Sequence, residues 1–145
     1  MTPRALVEHA LALLLDHDMA GFAGLWAVDG ELEFPFAAAD YPARIRGRAA
    51  IAGYLRDYPN ILDIREIPER TVHETGDPEV VVVEFTAAGV VVATGRDYRL
   101  RYIAVITVRD AEIRHYRDYW SPLAAAEIMG GADALTTTFA GGRDA

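Results

Sequence analysis

Between residues 62 and 120 the chain is written largely in period two. "PEVVVVEFTAAG" (78–89) is rich in valine, and "GRDYRLRYIAVITVRD" (95–110) alternates along its length. "AEIRHYRDYW" (111–120) returns after a short turn at Asp110. β-Branched and aromatic side chains suit a pleated, half-buried surface, and alternation sends neighbours to opposite faces. "LDIREIPERTVHET" (62–75) is also extended, with Pro68 marking an edge strand or a bulge. Four long strands in succession predict an antiparallel sheet.

The first 60 residues read differently. Thr2 and Pro3 supply a hydroxyl N-cap and a first-turn proline, and Leu6, Ala10, Leu13 and Leu14 then fall at helical spacing. Asp18 caps a second short helix through "MAGFAGLWAV", which the turn pair Asp29-Gly30 ends. "ELEFPF" (31–36) is a short strand, stopped by Pro35 and the loop "AAADYPARIRG". A third helix follows Gly47, with Ile51, Tyr54, Leu55 and Tyr58 on one side and Pro59 at its end. A last helix, "PLAAAEIMG" (122–130), leads into a small, polar tail. Helices segregated before an antiparallel sheet define an α+β class, with a curved sheet closing over the helices around a pocket. The expected organisation is one domain over 1–131 and a mobile tail over 132–145.

At 145 residues the chain is long enough for one core. Its net charge of −8 argues against nucleic acid and anionic membranes as partners, because both are held by lysine and arginine surfaces. The absence of cysteine removes disulfides, thiolate metal sites and cysteine nucleophiles. The apolar run at the N-terminus is broken by Glu8, His9 and Asp16, which reads as a folded helix and a cytoplasmic protein. His9 and His17 have no partners at metal spacing, so neither a metal nor a cofactor is expected.

Strand alternation divides the side chains by face. In the last strand Arg114, Tyr116, Asp118 and Trp120 share one face, and Ile113, His115, Arg117 and Tyr119 the other. Leu100, Tyr102, Ala104 and Ile106 form an apolar row in the strand before it, and Val81, Val83, Phe85 and Ala87 form another. With these rows inward, Asp118 is the main ionisable group in an apolar interior, where burial raises a carboxyl's pKa toward the range of a general acid or base. The plainer alternative pairs Asp118 with Arg96, Arg101 or Arg114 as a structural tie. Tyr54, Tyr58, Tyr102 and Tyr116 are the available hydroxyl donors, of which Tyr54 and Tyr102 are favoured as Asp118's partners. Trp26, Phe34, Phe36, Tyr58, Phe85, Tyr116 and Trp120 are the candidate ligand-contacting residues. His115 is expected at a dimer or solvent surface and His73 near a hairpin end. Arg44, Arg46 and Arg48 form the densest basic cluster, read as a solvated loop or as an anion-greeting entrance.

"LWAVDGELEFPF", "IRGRAAIAGYL", "TGRDYRLRYIAVITVRDAEI" and "HYRDYWSPL", in that order over roughly residues 5–130, resemble the SnoaL-like branch of the nuclear-transport-factor-2-like superfold. The resemblance implies a cone-shaped α+β barrel around a deep hydrophobic pocket, a hydrophobic small-molecule ligand and a homodimer. The branch includes polyketide cyclases, ketosteroid isomerases, limonene epoxide hydrolase and the phenazine A/B proteins, the last locally the most similar. By that likeness Asp118 stands where epoxide hydrolase keeps one Asp and the phenazine proteins a Glu. The hydrolase's other two polar positions fall on Phe85 and Ala87, and the isomerase base on Phe34. The isomerase's second carboxyl falls on Ile103 or Ala104, and the phenazine His position in a stretch that offers Tyr54 and Tyr58. SnoaL cyclases use a single Asp for proton transfer, which matches what remains. The implied activity is a cofactor-independent cyclisation, isomerisation or dehydration; the alternative is a non-catalytic binding module.

Overall fold

A computed structural model describes residues 1–139. The helical part opens with α1 (Pro3–Leu15) and α2 (Met19–Ala23). Thr2 caps α1 by accepting from the Ala5 amide at 3.1 Å, and Asp18 caps α2 by accepting from the Gly21 amide at 2.8 Å. Strands β1 (Trp26–Glu33) and β2 (Arg44–Arg46) follow, then α3 (Arg48–Leu55) and α4 (Tyr58–Ile61). The long strands are β3 (Leu62–Glu74), β4 (Val80–Val91), β5 (Asp97–Arg109) and β6 (Glu112–Trp120). Helices α5 (Pro122–Met129) and α6 (Ala132–Phe139) complete the described chain.

The strands form one open six-stranded sheet in the order β2-β1-β6-β5-β4-β3. All pairings are antiparallel except β1 with β6, which run parallel. The α+β class and the curved sheet over N-terminal helices stand as the sequence predicts. β3 lies at the edge and shifts register at Ile64/Glu66 and Glu66/Glu69, so Pro68 occupies a strand that is both edge and bulged. At one of these shifts β4 passes so close that a Cβ on Gly89 would lie 1.9 Å from the Asp63 carbonyl oxygen. Bulges of this kind bend a strand and increase its twist, which lets the sheet wrap the helices.

Several local expectations are corrected. The second helix stops at Ala23, and Trp26 begins β1 rather than continuing the helix. Asp29-Gly30 is no terminal turn: the pairing with β6 slips between Trp26 and Glu31, so the dipeptide sits in a bulge. Gly30 is needed there because a Cβ would meet the Ile113 carbonyl oxygen at 2.8 Å. "RIR" (44–46), read as loop, pairs as β2, with Leu32 opposite Ile45. Residues 132–139, assigned to a mobile tail, form α6, where Leu135 is buried; residues 140–145 lie outside the described residues.

The inward rows of β4 and β5 are as read from alternation: Val81, Val83, Phe85 and Ala87 are buried, as are Leu100, Ala104 and Ile106. In β6 the division holds from His115 onward but not before it. Thr107 faces His115 while Val108 faces Ile113, so Arg114 is the extra residue of a bulge. Ile113 therefore turns inward, fully buried, and Arg114 turns out to pair with Asp29 at 2.9 Å. Among the described residues no helix is long and apolar enough to cross a membrane.

Candidate active site

The concave face of the sheet, α1–α4 and the C-terminal helices enclose a cavity of about 90 Å³. Aromatic side chains make most of its wall. Trp26 lies against Tyr116 with centroids 5.4 Å apart, and Phe34 contacts Tyr41, Tyr54 and Trp120 at 5.6, 5.4 and 6.0 Å. Phe85 stacks on Tyr102 at 4.9 Å, as their direct register across β4 and β5 requires. Leu14, Leu32, Leu55, Leu62, Ile64 and Leu100 fill the gaps between the rings.

Asp118 is the carboxylate on this wall. Its position follows from β6: two residues beyond Tyr116 and two before Trp120, it shares their inward face. The residue keeps part of its surface open, but its Oδ1 is fully enclosed and has no hydrogen-bond partner among the described residues. Burial lifts its pKa from 3.8 to about 7, with no cation opposing the rise. Of the arginines named for a structural tie, Arg114 bonds to Asp29 instead.

Hydroxyls surround this carboxyl in two pairs. Tyr58 and Tyr102 meet at 3.1 Å, and Tyr41 bonds to Tyr54. Burial pushes the Tyr58 hydroxyl up to about 12, against the lowering effect of its bond to Tyr102. Tyr54, Tyr102 and Tyr116 are raised well above the ordinary phenol value, burial being the largest cause and the charge of Asp118 a further one. All four phenols therefore stay protonated donors at neutral pH.

Asp118, Tyr54 and Tyr102 thus converge on one cavity, joined by Trp26, Phe34, Tyr58, Phe85, Tyr116 and Trp120. Phe36 does not: it is 62% exposed and packs edge-on against Tyr119 at 5.1 Å, because the chain turns outward after β1 ends at Glu33. The other outward groups are held in pairs. His115 bonds to Glu33 at 2.8 Å and His73 to Glu84 at 2.7 Å, while Arg44 and Arg46 face Glu31 and Glu33. Arg48 reaches back to the Trp26 carbonyl oxygen at 3.4 Å. Among the described residues no Lys, Arg or His lines the cavity. Sequence reasoning missed Tyr41, which is buried in the loop between β1 and β2, and also Leu135 and Phe139 of α6. The only sequence signal for Tyr41 is an aromatic residue held between Asp40 and Pro42.

This combination is that of an α+β protein whose open, curved sheet and helices surround an aromatic cavity with one carboxyl among the described residues. The SnoaL-like domain matches residues 7–116, and the chain belongs to that family. YesE of Bacillus subtilis is 41% identical over 122 residues, covering 84% of this chain and 83% of that one. A PhzA/B-like protein of Pseudomonas aeruginosa is 35% identical over 134 residues, covering 92% and 94%. Among solved structures, a candidate isomerase from Bacillus subtilis superposes with a TM-score of 0.83 at 38% identity, covering 90% of this chain and 97% of its own. TerC, co-crystallised with polyporic acid, shares the fold with a TM-score of 0.72 at 23% identity, covering 87% and 96%.

Proposed function

We propose that the protein is a cofactor-independent acid/base enzyme acting on a hydrophobic, carbonyl-bearing small molecule, in a cyclisation, isomerisation or dehydration. The observation that carries the reading is Asp118, whose Oδ1 is enclosed without a partner among the described residues, in a cavity that five tyrosines also line. A carboxyl shifted to about 7 by burial holds comparable amounts of acid and base at neutral pH. The ionised Asp118 takes a proton from the carbon next to the substrate carbonyl. The C–H electron pair moves into a carbon–carbon double bond, and the carbonyl oxygen gains negative charge. Tyr102 or Tyr54 donates a hydrogen bond to that oxygen. The enolate then takes the proton back from Asp118 at another carbon, or it attacks a second carbonyl and Asp118 protonates the new alkoxide.

A binding module is the second reading, favoured by the apolar side chains of Phe34, Phe85 and Ala87 on the same wall. One experiment separates the two. Aryl ketones of increasing size, from acetophenone to 2-tetralone, are incubated in D₂O and α-proton exchange is followed by NMR. The acid/base reading expects exchange faster than in buffer and a loss on the order of 10²–10⁴-fold in Asp118→Asn. Ketones that bind without exchanging, equally in both proteins, refute it and leave the binding module.

We also infer a homodimer. Phe36 and Ile103 are large apolar side chains exposed by 62% and 45%, and both adjoin Tyr119 on the convex face. Light scattering that gives a dimer mass, reduced to the monomer in Ile103→Glu, is the expected result.

A further inference from the structure

The SnoaL-like match ends at residue 116, yet the cavity is completed by residues after it. Ala125, Ile128 and Met129 of α5 and Leu135 and Phe139 of α6 line its remaining wall. At about 90 Å³ the enclosed space is smaller than the roughly 150 Å³ apolar cavity that takes one benzene. With so little room, a ring larger than benzene fits only if part of the wall moves.

We propose that α6 is a lid over this cavity, hinged at Gly130-Gly131, and that Leu135 and Phe139 are the side chains that set which ligands enter. The joint is the C-cap of α5, where the Gly131 amide donates to the Ala126 carbonyl oxygen at 2.7 Å. Gly130 and Gly131 have φ of 91° and 136°, a region that favours glycine, and nothing lies within 4 Å of where a Cβ would sit on either. The lid is weak by itself. It has eight residues, fewer than an isolated helix needs for stability in water, and three of them are the β-branched Thr136, Thr137 and Thr138. What holds it down is the cavity: Leu135 is 6% exposed, and the Phe139 ring packs on Tyr58 with centroids 6.0 Å apart. The helix is therefore stabilised by the same surface that a ligand would occupy. A ligand larger than the closed volume enters by displacing Phe139 from Tyr58, and the lid re-closes on whatever apolar surface the ligand presents. This holds whether or not Asp118 moves protons.

The test uses 2-naphthol as the probe, with binding followed by energy transfer from Trp26 and Trp120, both on the cavity wall. Asn60 and Thr138 are exposed and line one surface groove beside α6, and the chain has no cysteine of its own. Cysteines placed at both are joined by a short bis-maleimide, which pins the lid. Association is expected to slow more than tenfold in the joined protein, to match wild type in the unjoined double-cysteine protein, and to quicken in Phe139→Ala. A joined protein that binds 2-naphthol as fast as wild type overturns the lid. So does a Phe139→Ala protein that binds no faster than wild type. Hydrogen exchange supplies a readout in the unmodified protein: α6 amides should exchange faster than those of α1, and binding should protect them. Equal exchange in the two helices also overturns it.

Discussion

Replacing Asp118 by Asn should make the protein more stable, and by an amount that depends on pH. The folded state raises this carboxyl from 3.8 to about 7. At about 1.36 kcal/mol per pKa unit, the shift corresponds to about 4 kcal/mol between the neutral and charged forms. Between these two values the folded protein holds a proton that the unfolded chain has released. Stability therefore falls as pH rises through that window and is lowest above 7. Asparagine has nearly the same shape and never carries the charge. Asp118→Asn should match wild type near pH 4 and exceed it by up to about 4 kcal/mol at pH 8. Urea unfolding of both proteins at half-unit steps from pH 4 to 8.5 measures the difference, in which every other titrating group cancels. A difference that stays flat across that range would falsify the desolvated carboxyl and with it the basis for acid/base chemistry. The opposite slope would mean an ionised Asp118 held by a cation.

Three further substitutions probe the elements that position the site. Tyr102→Phe removes one side of the 3.1 Å bond to Tyr58, so a loss of about 1–2 kcal/mol is expected. Because the two hydroxyls share that bond, adding Tyr58→Phe should cost less than it does alone, and thermal unfolding of the four proteins in the cycle checks this. Gly89→Ala forces a Cβ against the Asp63 carbonyl oxygen and should destabilise by more than about 2 kcal/mol, measured by urea midpoint; an effect below about 0.5 kcal/mol would mean that β3 can slide. Thr2→Ala loses the bond to the Ala5 amide and should cost about 1 kcal/mol, again by urea midpoint, while leaving ligand binding unchanged.

The parts of the fold legible in the sequence are those decided by neighbours in the chain. The caps at Thr2 and Asp18 need only a side-chain oxygen three residues before the amide they hold. The inward rows of β4 and β5 follow from alternation, and with them the placement of Phe85 and Tyr102 on one wall. Asp118 was legible because β6 runs without a register slip from His115 to Trp120. What failed depends on partners distant in sequence. The bulge at Arg114 turns Ile113 inward, and nothing in the β6 sequence marks it, because a bulge is a mismatch between two strands. Asp29-Gly30 looks like a turn for the same reason: its glycine answers the approach of Ile113, a contact across the sheet. α6 is invisible to propensity because its threonines favour other states; what orders it is the burial of Leu135 and the packing of Phe139.

The cavity and its carboxyl pose a question that stability by itself does not answer. A core closed by apolar side chains at the Asp118 position would avoid an enclosed oxygen without a partner, and such replacements of buried charge are commonly neutral or stabilising. Two phenol pairs on the same cavity wall add polar groups to a surface otherwise built largely of hydrocarbon. The fold tolerates this because β4, β5 and β6 form a continuous ladder behind the site, so local cost is set against a rigid sheet. The two remaining walls differ from that frame. α6 is short and rests on the cavity, and the Tyr41 loop is held by ring contacts with Phe34, Tyr54 and Trp120. Access can then be governed by α6, while the carboxyl and the Tyr54, Tyr58, Tyr102 and Tyr116 hydroxyls stay on β5, β6 and α3–α4. Loosening α6 should change which ligands enter and, by admitting water, lower the pKa of Asp118 toward 3.8, whereas loosening β6 should move that pKa without changing which ligands enter. Carboxyl NMR of Phe139→Ala and of Thr107→Gly, the latter beside the β6 bulge, compares the two.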